Sequence, residues 1–140
     1  MQKTADSSMS DLLLDTCAVL WLAEGVEITG DARKAVADCK LNVSPITVWE
    51  IANLVRKKRI VLAMPVAKWF RQTVDMMEAT MPELTVDILA GSCELPGSPP
   101  GDPADRIIIA TAREASMVLM TRDKDILAYS RAGYVRTMVC

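Results

Sequence analysis

Leu12-Leu13-Leu14-Asp15-Thr16 is the stretch on which the reading of this chain turns. Three leucines in succession, with no polar alternation, describe a short strand covered on both faces, the habit of parallel sheets. A carboxylate and a hydroxyl close the run, so Asp15 stands at the strand's carboxyl end. In open α/β sheets ligands bind outside that edge. Acids ending other parallel strands of the same sheet would meet Asp15 there.

Working outward, residues 17–23 read as a short, largely buried helix. Thr29 or Gly30-Asp31 starts a second helix that runs to about Lys40. Leu41-Asn42-Val43 is the next strand. Ser44-Pro45 has the form of a helix start, with Ser as N-cap and Pro at the first helical position. The helix from Ile46 carries Ile51, Leu54 and Val55 at helical spacing. It ends in Arg56-Lys57-Lys58-Arg59, whose charge complements the helix dipole. Residues 66–78 predict another helix, 83–86 a short strand and 88–93 a short helix. The Pro- and Gly-dense segment 95–101 is a loop. Asp102-Pro103 opens a helix through about Glu114, 117–121 is a strand, 125–130 a helix and 134–139 a last strand. Strands alternating with helices mean βαβ units, and hence an α/β fold with a mostly parallel sheet covered on both faces.

Length and composition bound the rest. The chain has 140 residues, enough for one domain with a real core. Residues 1–10 read as a flexible N-terminal tail, with Met9 a possible second start, and 11–140 as one domain. The chain is 51% hydrophobic but only 4% aromatic, so aliphatic residues and nine Met must fill the core. A net charge of −2 argues against coating nucleic acid through bulk positive charge. It leaves room for a site in which bound metal inverts the local field. No apolar run approaches the roughly 20 residues of a membrane span, and no signal peptide is visible, so a cytoplasmic protein is expected. The four cysteines (17, 39, 93 and 140) form no C-x-x-C pair, and reduced thiols, buried at 17, 39 and 93, are the expectation.

Four acids then stand out: Asp15, Glu50, Asp105 and Asp123, each where an apolar run meets a turn. Each has a structural alternative. Asp15 suits a helix cap as well as a ligand. Glu50 lies one turn into a helix among Ile46, Trp49 and Leu54, where a partly buried carboxylate needs a cation or donor. Asp102 before Pro103 fits the N-cap, and Asp105, three positions on, has a capping role too. Arg106 is placed to clamp one of these acids. Of Asp123 and Asp125, the second fits a helix cap better and the first lies nearer the strand end, which favours Asp123 for chemistry. Carboxylates without any His suit Mg²⁺ or Mn²⁺ rather than Zn²⁺. Such metals activate water and offset charge in phosphodiester cleavage.

These segments together resemble the PIN-domain nucleases, specifically the VapC-type toxins of bacterial toxin–antitoxin pairs. Leu12-Leu13-Leu14-Asp15-Thr16 is similar to the family's opening strand and first acid. Val43-Ser44-Pro45-Ile46-Thr47-Val48-Trp49-Glu50-Ile51-Ala52 is similar to its S-x-x-S/T-x-W-E-I segment. Gly101-Asp102-Pro103-Ala104-Asp105-Arg106, continuing to Ala110-Thr111-Ala112, resembles its G-D-P-x-D-R…A-T-A block, and Leu119-Met120-Thr121-Arg122-Asp123 its L-x-T-x-D element. The resemblance implies a three-layer α/β/α sandwich and a Mg²⁺- or Mn²⁺-dependent endoribonuclease acting on RNA. Asp15, Asp105 and Asp123 would hold metal, and Glu50 would complete the catalytic set. Thr16, Ser44 and Thr121 would support the acids by hydrogen bonds. A homodimer and a cognate VapB-type antitoxin are implied as well. Relatives often carry His where this chain has Cys17 and Pro100, which bears on substrate handling more than on metal. The run 56–59 reads equally as a solvated helix end or a guide for RNA backbone.

Two other readings compete. A catalytically silent PIN-like module would bind RNA or protein without cutting. A phosphatase or phosphotransferase would want a second acid two residues after Asp15, where Cys17 stands.

Overall fold

The computed structural model describes residues 11–140, so the tail expected at 1–10 lies outside the described residues. Its centre is a four-stranded sheet, all parallel, in the order β2-β1-β3-β4: β1 (Leu12–Leu14), β2 (Leu41–Val43), β3 (Val118–Thr121) and β4 (Thr137–Val139). Seven helices surround it among the described residues: α1 (Thr16–Glu24), α2 (Gly30–Asp38), α3 (Ile46–Arg56), α4 (Val66–Met76), α5 (Val86–Ser92), α6 (Pro103–Glu114) and α7 (Lys124–Arg131).

The three leucines behave as a doubly covered strand should. Leu12 and Leu14 enter one core with Val19, Ala32, Ile51 and Phe70, under α1 to α4. Leu13, pointing the other way, joins Ile108, Ile109, Leu119 and Ile126 under α6 and α7. All three leucines are at most 2% exposed. Alternate side chains of a strand face opposite sides, so this one tripeptide nails both helix layers to the sheet. The result is the α/β/α sandwich.

Topology then sets the site. The chain leaves β1 toward β2 on one side and later returns to β3 on the other. The carboxyl end of β1 is therefore a switch point, where the flanking connections part and leave a crevice. Asp15 is the first residue beyond β1, and its N–H still bonds the Met120 carbonyl of β3 (3.2 Å).

The segment 83–86 is not a strand. Beside β2 stands Thr80, an isolated parallel bridge to Asn42, with Thr80 N–H donating to the Leu41 carbonyl at 2.9 Å. Pro82 lacks a donor for extending that ladder. Thr85 instead caps α5, its hydroxyl accepting from Ile88 N–H at 3.1 Å.

Candidate active site

Each acid is placed by a local rule. Asp15 caps α1: Oδ1 accepts from Ala18 N–H at 2.7 Å, and Oδ2 accepts from the Thr121 hydroxyl across the sheet. It is 6% exposed. Burial pushes its pKa up, the Thr121 and Ala18 bonds pull it down, and the Asp123 charge raises it again. Asp15 is thus a helix cap that also faces the charge of Asp123, and capping does not remove it from the acidic cluster.

Glu50 sits half-buried on α3. The Thr16 hydroxyl donates to its Oε1, reaching from the first residue of α1. Burial raises its pKa, Thr16 opposes this, and Asp102 and Asp15 add repulsion. The aromatic neighbour expected to cover it does not: Trp49 is 58% exposed. One turn before Glu50, on the same helix face, the Thr47 hydroxyl is buried with no hydrogen-bond partner among the described residues.

At the start of α6, Asp102 is the N-cap and accepts from Asp105 N–H at 3.0 Å. That turn throws both side chains toward Glu50. Ligand oxygens of Glu50, Asp102 and Asp105 lie within 4.8 Å of one another. The sequence reading gives Asp102 as a helix cap and a residue supporting the acids, not as a member of the cluster itself. The signal that it would join the cluster was its spacing from Asp105, since cap and third residue share one turn. Asp105 has no donor on its carboxylate among the described residues. Burial, followed by Asp102, Asp123, Glu50 and Asp15, pushes its pKa up to about 7.

Asp123, not Asp125, caps α7, its Oδ1 accepting from Asp125 and Ile126 N–H at 2.9 Å each. The residue nearer the strand end wins because Thr121, the last residue of β3, accepts from Asp123 N–H at 2.9 Å and turns the chain there. Two further expectations are corrected. Arg106 Nε donates to the Pro100 carbonyl at 2.6 Å and clamps the loop rather than an acid. Ser44 bonds Ile46 N–H at 3.2 Å, so it starts α3 and supports Glu50 only through that helix.

The thiols also differ from expectation. All four are reduced, but Cys17 and Cys93 are exposed, Cys39 is half-buried and only Cys140 is buried. Cys17 opens into the acidic crevice. Desolvation and then the charges of Asp15, Glu50, Asp105 and Asp123 push its thiol up to about 11. The run 56–59 is exposed, with Arg56 Nε on Asn53 Oδ1 at 3.2 Å.

Five carboxylates therefore share one crevice, and no Lys or Arg pairs with them among the described residues. Like charges held this close repel unless protons or a cation intervene. An oxygen-only donor set, with three carboxylates in reach of one point and no imidazole, fits a hard divalent cation.

The chain belongs to the PIN domain family, which matches residues 12–132. It is 36% identical over 123 residues to Ribonuclease VapC22 of Mycobacterium tuberculosis (strain ATCC 25618 / H37Rv), covering 86% of this chain and 93% of that one. Among solved structures its fold is similar to a toxin–antitoxin complex from Klebsiella pneumoniae, with a TM-score of 0.63 at 23% identity, covering 91% of this chain and 96% of that one. It is also similar to VapBC2 from Rickettsia felis bound to a DNA fragment from their promoter, with a TM-score of 0.63 at 13% identity over 91% and 97% of the two chains. No helix among the described residues is long and apolar enough to cross a membrane.

Proposed function

We propose that this chain is a Mg²⁺- or Mn²⁺-dependent endoribonuclease, the toxin of a toxin–antitoxin pair. The observation that carries this is the convergence of Glu50, Asp102 and Asp105 beside Asp15 with no cationic side chain among the described residues to balance them. The 36% identical relative named a ribonuclease supports RNA as the substrate. The toxin–antitoxin complexes sharing the fold support a protein partner that restrains the activity, a VapB-type antitoxin. One nuclease domain over residues 11–140, paired as a homodimer and working in the cytoplasm, completes the reading; four reduced cysteines suit a reducing compartment.

In this reading Asp15, Asp105 and Asp123 hold the metal, with Glu50 completing the set and Asp102 near enough to join it. When bound, a divalent cation lowers the pKa of coordinated water and offsets charge on the phosphoryl oxygens. The chain's own residues do the rest. Thr121 and Ala18 N–H fix both oxygens of Asp15. Thr16 fixes one oxygen of Glu50 and leaves the other facing the crevice to orient the attacking water and take its proton.

The test is cleavage of a mixed structured RNA pool by purified protein with Mn²⁺ or Mg²⁺, beside EDTA and Asp15→Asn controls. Cutting that is lost in both controls is expected. Retained cutting by Asp15→Asn removes that residue from the mechanism. Failure to cut, with no metal-induced rise in melting temperature, turns the reading toward a silent binding module.

A further inference from the structure

One hollow outside the acidic crevice begins at its rim. Asp125, Ala128, Tyr129 and Ala132, one face of α7 at helical spacing, form its first wall, and the loop 97–101 forms the other. It encloses about 660 Å³. Its upper end lies at Gly101 and Asp125, one residue from Asp102 and two from Asp123. Its lower end is Tyr134, which also lines the next hollow, of about 320 Å³, with Arg113 and Arg136. From Asp125 to Ala132 this amounts to a track of roughly 10 Å at the α-helical rise per residue, the span of one to two nucleotides.

The walls are built rather than left over. Tyr129 donates its hydroxyl to the Pro96 carbonyl at 2.6 Å and stacks on Tyr134 with ring centroids 5.0 Å apart. The backbone of Gly97 lies so close to that second ring that an added Cβ would stand 2.4 Å from it. Arg106 holds Pro100 by its carbonyl, and Arg113 donates to the Tyr134 carbonyl. Loop and helix are thus pinned at both ends, leaving an open channel between them.

We propose that this groove holds the nucleotides flanking the scissile bond of the RNA, an inference that rests on the ribonuclease reading above. Its chemistry suits single-stranded RNA. The half-buried Pro99 ring and Tyr134 offer apolar surfaces against which bases pack. The Asp125 carboxylate, an acceptor only, faces the place where a ribose hydroxyl or exocyclic amino group would donate. The exposed guanidinium of Arg113 lies where the chain's next phosphate would fall. Continuity with the acids selects RNA as the occupant, because a strand cut at the crevice must leave it somewhere.

The experiment uses A128E and A128K, a pair of equally good helix formers at an exposed position in the middle of the groove. Each is built in the full chain carrying Asp15→Asn, and binding of a fluorescent random-sequence single-stranded RNA pool is read by anisotropy in Mg²⁺. A128E is expected to bind about fivefold or more weakly at low salt, with the gap closing as salt rises. A128K should bind at least as tightly as its parent. R113Q should reduce the salt slope by about one. In the cutting protein, A128E should raise KM for the pool and leave kcat unchanged.

Parent-like binding by A128E, A128K and R113Q, in a protein that still cuts RNA, overturns the groove and leaves the ribonuclease reading standing. A folded native protein that neither binds nor cuts RNA overturns both. Unchanged RNA binding by A128E combined with loss of a co-expressed protein partner would give the groove to protein, and also overturns the proposal.

Discussion

Asp15 and Asp105 face the same crevice and are held in opposite ways. Asp15 is more deeply buried, yet both its oxygens accept hydrogen bonds. Asp105 is half-buried and its carboxylate accepts none among the described residues, while four other acids repel it. One carboxylate is built into the fold, and the other waits for something outside the fold. The difference teaches that burial alone does not decide how a carboxylate is held. What leaves Asp105 the less satisfied of the two is burial, repulsion and the lack of a donor acting on one group.

The largest effects should fall on catalysis and should not separate the two residues. D15N and D105N are each expected to lower RNA cleavage on the order of 10³-fold or more, as for groups acting in one unit. Stability should separate them. Without metal at pH 8, D105N should melt higher than the native protein, because it removes a repelled charge and no hydrogen bond. D15N should melt no higher, because it perturbs two bonds. Thermal melts in EDTA check this, and a matching rise for both variants would erase the distinction.

Next in size come the hydroxyls. Thr121→Val leaves a buried oxygen of Asp15 unpaired, which costs about 1–3 kcal/mol, and Thr121 is fully buried. Thr16→Val strips Glu50 of its donor at a half-buried site and should cost less stability. Both should reduce cleavage about 10- to 100-fold, the usual scale for partners of metal-binding groups. Denaturant unfolding together with cleavage rates measures the pair. Equal stability losses would show that Glu50 is as dependent on its hydroxyl as Asp15.

A smaller effect follows from pH. Asp105 is pushed from 3.8 to about 7, mainly by burial. A carboxylate with a raised folded pKa takes up protons on folding, so stability is greatest below the unfolded value. It falls as pH rises through that window and levels off above about 7. Asp15 and Glu50 shift in the same direction and act with the same sign. Metal-free protein should therefore melt higher at pH 5 than at pH 8, and millimolar Mg²⁺ should remove most of the difference. A flat metal-free profile would mean that the acids are not crowded in solution.

Strand ends were easier to read in the sequence than the groups around them. Leu12–Leu14 and Leu41–Val43 matched the strands residue for residue because the first is an unbroken apolar triplet closed by Asp15-Thr16 and the second is closed by the helix start Ser44-Pro45. Asp15 and Asp123 were legible because each closely follows a strand, whereas Glu50 and Asp105 lie within the first turns of α3 and α6. The roles of Ser44 and Arg106, and which of Asp123 and Asp125 caps α7, were not legible. Each turns on where one side-chain atom points, and neighbouring backbone carbonyls and N–H groups compete for it. The segment 83–86 misled for a related reason: Leu84 and Val86 alternate like a strand, but Thr85 finds a better partner in Ile88 N–H. The groove beside α7 was invisible, since its walls lie far apart in sequence.

Cys17 offers the mildest way to sharpen the comparison, because it senses Asp15 and Asp105 together. It is exposed at the crevice, so access does not limit its reaction, yet its pKa stands at about 11 from desolvation and the four acids. Alkylation needs the thiolate. A cation that offsets the acids lowers the thiol's pKa, whereas a cation that merely fills the crevice blocks the reagent. With a small neutral alkylating agent at pH 8, D105N should already react several-fold faster than the native protein without metal, because one repelling charge is gone. D15N should do the same, and by more, since Asp15 stands ahead of Asp105 among the charges acting on Cys17. Equal rates in all three proteins would mean that desolvation alone silences the thiol, and that the acids reach Cys17 less than their placement implies.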